Sequence, residues 1–143
     1  MKIAVASDHG GYGLKEEIKK FLEKRGIDVI DMGTDSEESV DYPHFGKACA
    51  AAVAAGEADR GIVFCGTGIG ISIAANKVKG IRCALCTSVY MAETARKHND
   101  ANMLAMGGRI LSADAALEIT KAWLDTKFEG GRHQRRVDIL NNM

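Results

Sequence analysis

The sequence predicts an α/β fold: a parallel sheet of five strands with helices on both faces. Two observations predict it. Apolar runs of five or six residues alternate from end to end with stretches of helical periodicity. A helix between each pair of strands turns the chain back, so the strands run parallel and the sheet is covered on both sides. Polar residues and glycines gather just past the apolar runs, at the strand ends where such folds place ligands. No linker, low-complexity stretch or repeat at a solenoid period interrupts the pattern. The expected organisation is therefore one three-layer domain over residues 1–143, Rossmann-like, with a C-terminal tail helix.

The elements follow in order. KIAVAS (2–7) is a short buried strand. A helix with Leu14, Ile18, Phe21 and Leu22 on one face follows, closed by Gly26. Residues 27–31 (IDVID) are the second strand. Pro43 suits the first turn of a helix running through Ala48 and Ala52 to Gly56. RGIVFC (60–65) is the third strand, and GTGIG leads into a helix over 70–77. IRCALC (81–86) is the fourth strand, a helix spans about Ser88 to Lys97, and NMLAM (102–106) is the fifth strand. Ser112 caps a helix carrying Ala116, Leu117, Thr120, Trp123 and Leu124. The tail GGRHQRRVDILNNM reads as a glycine hinge and a short helix.

Composition narrows the function classes. The 143 residues are 46% hydrophobic and 27% charged, the balance of an ordinary globule. No apolar run approaches the roughly 20 residues of a membrane span. The first apolar run is too short for a secretory signal and lacks a cleavage-site pattern. Nineteen basic and nineteen acidic side chains cancel, which argues against a general nucleic-acid binder. Residues 127–136 nonetheless hold Lys127, Arg132, Arg135 and Arg136 against Glu129, so this stretch is basic and the rest slightly acidic. Such a cluster suits a small anion better than a polyanion.

The four cysteines (Cys49, Cys65, Cys83 and Cys86) are expected to be reduced thiols of a cytoplasmic protein. Cys83 and Cys86 have redox-motif spacing, but they lie within a strand and must point to opposite faces. A redox pair needs its first Cys near a helix N-terminus. Zinc would need four ligands, and no second pair is present. Both read as packing residues.

The chemistry-bearing residues lie at the strand ends. The turn Cys65-Gly66-Thr67-Gly68-Ile69-Gly70 is GxGxG rather than GxGxxG, with no acidic ribose reader at the expected distance, so a dinucleotide site is a weak reading. Its glycines let successive N–H groups converge at a helix N-terminus, a nest for a phosphate or an oxyanion. Backbone donors there stabilise a thiolate, so Cys65 is a candidate base or nucleophile. Asp8-His9 follows the first strand, and His98-Asn99 ends the helix before the fifth. Both pairs are expected to face the same sheet edge as Cys65, where Cys, His, Asp, Asn and a nest form a proton-transfer site. Arg132 and Arg136 are four apart, on one face of a helical tail, and Arg109 ends the fifth strand. Guanidinium forks match phosphate oxygens, so the three are a candidate clamp.

The chain resembles the sugar-phosphate isomerase family that contains ribose-5-phosphate isomerase type B and the galactose-6-phosphate isomerase subunits. The resemblance runs nearly end to end. It rests on SDHGG (7–11), SVDYP (39–43), CGTGIGISIAANK (65–77), GIRCAL (80–85), HNDANMLAMGGR (98–109) and FEGGRHQRR (128–136). It implies interconversion of ribose 5-phosphate and ribulose 5-phosphate, without metal or redox cofactor. It implies Cys65 as the base moving a proton between C2 and C1. The turn Gly66, Thr67, Gly68, Ile69 and Gly70 would supply donors for the enediolate, with Thr67 bonding the same oxygens. His98 would be the acid that opens the furanose ring. Asp8, His9 and Asn99 would bind the sugar, and Arg109, Arg132 and Arg136 its phosphate. The tail 128–143 would reach a neighbouring subunit in a homodimer or tetramer with shared sites. Some relatives use a Glu further along the turn; Ile71-Ser72-Ile73 there places this chain with the Cys type. Galactose-type subunits usually lose the HNDAN and GGRHQRR features present here. A six-carbon substrate such as allose 6-phosphate is an alternative, since one extra carbon is a small change in a pocket. A noncatalytic phospholigand-binding module would leave Cys65, His98 and the Arg pair unexplained together.

Overall fold

The computed structural model describes residues 1–143. Strands β1 (Lys2–Ser7), β2 (Asp28–Asp31), β3 (Arg60–Cys65), β4 (Cys83–Leu85) and β5 (Met103–Gly107) form one sheet in the order β2-β1-β3-β5-β4. Every pairing is parallel. Helices α1 (Tyr12–Lys24), α2 (Tyr42–Ala54), α3 (Ile69–Asn76) and α4 (Val89–Asn99) join them, and α5 (Ala113–Asp125) and α6 (Arg132–Asn141) follow the last strand.

Alternation along the strands sorts the core into two layers. Ile3, Val5, Ile62, Phe64, Leu104 and Met106 face α1, α4 and α5. Ala4, Ala6, Val63, Met103 and Ala105 face α2 and α3. Both layers are closed, so these strands read as unbroken apolar runs rather than as alternating ones. Trp123 of α5 is fully buried in the first layer, as its helical spacing implies. Ser112 caps α5 by accepting from the Ala115 N–H at 3.1 Å.

The fourth strand is shorter than the apolar run IRCALC implies. The Arg82 N–H donates to Asn102 Oδ1 at 2.8 Å rather than to a strand, which delays β4 to Cys83. Cys83 and Cys86 do sit on opposite sides, one against each layer.

The order of the strands positions the site. From β1 the chain first adds β2 on one side, then crosses to β3 on the other. The crevice between β1 and β3 is thus a switch point, where ligands bind in open parallel sheets. Ser7 pairs with Phe64 there, and the Asp8 N–H donates to the Phe64 carbonyl at 3.2 Å.

Lys15 of α1 braces the neighbouring loop from inside the fold. Its side chain is fully buried, and its ammonium donates to Asp31 Oδ1 at 2.7 Å and to the Thr34 carbonyl at 2.6 Å. Burial would raise the Asp31 carboxyl, but hydrogen bonds from Lys15, the Gly33 N–H and Lys19 hold it below its ordinary value. A depressed carboxylate stabilises the fold above its unfolded pKa, and that contribution is lost as pH falls through the folded value. Lys15→Ala is expected to destabilise by about 3 kcal/mol, the low end for breaking a buried pair, because Asp31 keeps Lys19 and contact with water. Urea unfolding at neutral pH measures it. A loss below about 0.5 kcal/mol, the range of a surface substitution, would remove the brace.

Candidate active site

Cys65 ends β3 with its side chain nearly buried, 5% exposed. The Gly68 N–H donates to its sulfur at 3.1 Å. Gly68 adopts φ +82° as the residue preceding α3, and a Cβ there would lie 2.7 Å from Leu85 Cδ1 and 2.9 Å from the Met106 carbonyl carbon. Only glycine meets both demands. Thr67 Oγ1 accepts from the Ile69 N–H at 3.1 Å, and its own proton remains available. The N–H groups of Gly66, Thr67, Gly70 and Ile71 donate to no group of the chain. The turn therefore holds four open donors, while Gly68 and Ile69, also counted as donors in the sequence reading, are already engaged.

Asp8, His9 and Arg109 come to the same edge. Asp8 Oδ1 accepts from the Gly11 N–H at 3.1 Å, and His9 Nδ1 accepts from the Val40 N–H at 3.2 Å, which leaves His9 Nε2 for other partners. The Arg109 N–H donates to the Gly66 carbonyl at 2.9 Å. Its guanidinium lies over the turn, since a Cβ on Gly66 would sit 2.8 Å from Nη1. No ion pair in the chain uses Arg109, Arg132 or Arg136.

His98 and Asn99 do not share that edge, and here the sequence reading is corrected. A crossover helix runs antiparallel to its strands, so the end of α4 returns to where strands begin. The Asn99 carbonyl accepts from Arg82 Nε at 3.0 Å, just before β4. The Asn102 carbonyl accepts from the Gly61 N–H at 3.1 Å, near the start of β3. Cys65 lies at the far end of β3, four residues on from Gly61 and so about 13 Å away at roughly 3.3 Å per residue. His98 instead stacks on His133 of α6, with ring centroids 4.2 Å apart and 14° between planes. Burial first, then the charges of His98 and Arg132, with a smaller push from Arg136, hold His133 below the ordinary imidazole value against the pull of Glu129. The tail arginines are thus on the His98 side, and Arg109 is on the Cys65 side.

One chain therefore carries two clusters of candidate residues at opposite ends of its strands. The ribose/galactose isomerase family model matches residues 3–140. The chain belongs to that family. Ribose-5-phosphate isomerase B of Escherichia coli is 52% identical over 139 residues, covering 97% of this chain and 93% of that one. A solved ribose-5-phosphate isomerase B from Clostridium thermocellum is 60% identical, with a TM-score of 0.98 over 99% of this chain and 96% of that one. D-erythrulose-4-phosphate isomerase of Pectobacterium atrosepticum is 42% identical over 98% of this chain and 93% of that one.

Two residues of this isomerase chain escaped the sequence reading. Tyr42, at the start of α2, lays its ring against Gly70, where a Cβ would lie 2.6 Å from the ring. It is 40% exposed, at the mouth of the turn. Its only signal was its place in SVDYP. Arg82 fixes the other cluster: Nη2 donates to the Asp100 carbonyl at 2.9 Å and Nη1 to Asn141 Oδ1 of α6 at 2.6 Å, besides the bond to Asn99. It ties the end of α4 to the tail helix, which no local pattern announces.

The remaining cysteines are separate from this chemistry. Burial pushes Cys49 up to about 12 and Cys86 to about 11, and raises Cys83 as well. All three stay protonated near neutrality.

Proposed function

We propose that this member of the isomerase family interconverts ribose 5-phosphate and ribulose 5-phosphate, and that it does so as a dimer. The observation that carries the reading is the set of four open N–H donors around Cys65, under an unpaired Arg109. Removing the C2 proton of an aldose creates an enediolate whose charge appears only along the reaction. Fixed donors stabilise that charge selectively, and one such donor is worth about 10²–10³ in rate. Cys65, as thiolate, takes the proton from C2 and returns it to C1, while the O2 hydroxyl proton passes to O1 and leaves the C2 ketone. Thr67 turns its free hydroxyl proton to an enediolate oxygen. Asp8 and His9 line the sugar, and Tyr42 borders it.

His98, the ring-opening acid of this reading, lies away from this edge in a single chain, where His9 is given to the sugar. A second copy supplies it: His98 and Asn99 of one chain, with Arg132 and Arg136, face the Cys65 turn of the other. The exposed apolar side chains Ile69 and Ile73 of α3 border the turn and suit such an interface. His98 then protonates the ring oxygen of the furanose as its bond to C1 breaks and the anomeric hydroxyl gives its proton to water, and Arg109 shares the phosphate with the partner's tail pair. The free thiols suit a reducing compartment such as the cytoplasm.

Sugar length is the open variable within the family, as the erythrulose-phosphate relative illustrates. Rates on four-, five- and six-carbon aldose phosphates, with no cofactor added, test the reading. The five-carbon sugar is expected to show the highest kcat/KM. A preference for another length would move the substrate and keep the chemistry. Binding without turnover on any of them would leave a phospholigand-binding module.

A further inference from the structure

We propose that His98, Glu129 and His133 form a binding site for a divalent transition metal such as zinc, and that its occupation inhibits the enzyme. The binding half of this proposal rests on geometry alone; the inhibition rests on the ring-opening role given to His98.

The three side chains come from two places that the fold brings together. His98 is in the last turn of α4, and His133 is in the first turn of α6. Glu129 precedes the Gly130–Gly131 turn, and its N–H donates to the Lys97 carbonyl at 3.1 Å, which holds the segment against the end of α4. Glu129 Oε1 lies 3.4 Å from His133 Nε2. One ligand atom from each residue lies within 4.8 Å of the other two. Tetrahedral zinc with bonds of about 2.0–2.1 Å needs its ligand atoms about 3.3 Å apart. The site is thus open by at most roughly 1.5 Å at its widest pair. The Glu129 side chain is half exposed and free to swing. The two ring planes are only 14° from parallel, so their in-plane lone pairs do not converge as stacked, and binding requires one imidazole to rotate out of the stack.

The donor set fits the ion. Two imidazoles and a carboxylate are a borderline ligand group preferred by zinc, cobalt and nickel over magnesium or calcium. The set leaves a fourth position for water. The carbonyls at the C-terminus of α4 add negative potential. Arg132 and Arg136 oppose a cation, which places the affinity below that of a buried structural site. A metal on His98 occupies the nitrogen lone pair that carries its proton, so ring opening stops while proton transfer at Cys65 is untouched.

Cobalt is the probe, because its visible bands report its ligands. Co²⁺ is titrated into wild type, Glu129→Gln, His133→Asn and Cys65→Ala, and zinc inhibition is measured with the cyclic aldose and with ribulose 5-phosphate. Expected are one cobalt per chain with four- or five-coordinate bands, unchanged in Cys65→Ala. Affinity should fall at least about tenfold in Glu129→Gln and His133→Asn. Glu129→Gln should keep the metal-free rate and need at least tenfold more zinc for half-inhibition. Absence of cobalt bands, or thiolate charge-transfer bands that vanish in Cys65→Ala, would overturn the site. Bands lost in Glu129→Gln, with the rate on the cyclic sugar unaffected by saturating zinc, would keep the site and instead overturn the inhibition and the ring-opening role of His98.

Discussion

Cys65→Ala is expected to lower turnover by about 10²–10⁴, the usual worth of a positioned proton-transfer group, while substrate affinity changes little. The expectation follows from what the substitution leaves in place. Arg109 remains over the turn, and the four open N–H groups belong to a backbone held by Gly68 at φ +82° and by the Gly108 N–H donating to the Cys65 carbonyl at 2.9 Å. The Gly68 N–H alone loses its acceptor. Binding and catalysis thus separate: KM or a directly measured Kd stays within a few-fold, and kcat falls. Cys83→Ala and Cys86→Ala are the controls, since burial holds both as thiols in the two apolar layers. Turnover within tenfold of wild type in Cys65→Ala would take the sulfur out of the reaction. A comparable loss in either control, with folding intact, would move the chemistry to that thiol.

The parts of this molecule that could be read in advance are those set by local pattern. β1, β3 and β5 are buried on both sides, so their sequences are continuous apolar runs with sharp polar ends. The Cys65 turn was legible because three glycines at a strand end have few other uses. β4 was overextended because apolar character continues through Ile81, while the Arg82 backbone goes to Asn102, a partner 20 residues away. His98 was misplaced for a related reason. Its position next to β5 in sequence suggests the site, but the antiparallel run of α4 puts it at the start of that strand rather than at its end. Arg82 and the His98–His133 stack are products of tertiary approach between segments that carry no shared pattern.

That misplacement leads to the sharpest test of the assembly. If each site takes Cys65 from one chain and Arg132 with Arg136 from the other, two inactive proteins should restore each other. Arg132→Ala/Arg136→Ala removes two charge-assisted contacts, about 1.5–3 kcal/mol of substrate binding each, so affinity should fall roughly a hundredfold or more. Folding should hold, because both side chains are exposed and make no ion pair. Mixed with Cys65→Ala under conditions that allow subunit exchange, the double variant supplies the sulfur and the Cys65→Ala chain supplies the arginines. In a two-fold dimer the mixed species then holds one intact site and one doubly defective site. At equal mixing and full exchange, about a quarter of wild-type activity is expected, from about half of the dimers being mixed and one of their two sites working. Exchange confirmed by native mass measurement with no recovered activity would mean that the tail serves its own chain. The separation of about 13 Å along β3 argues against that outcome, since α6 is stacked on α4 through His98 and His133 and is held there by Arg82. For a helix so anchored, reaching the Cys65 turn of its own chain would require breaking both contacts.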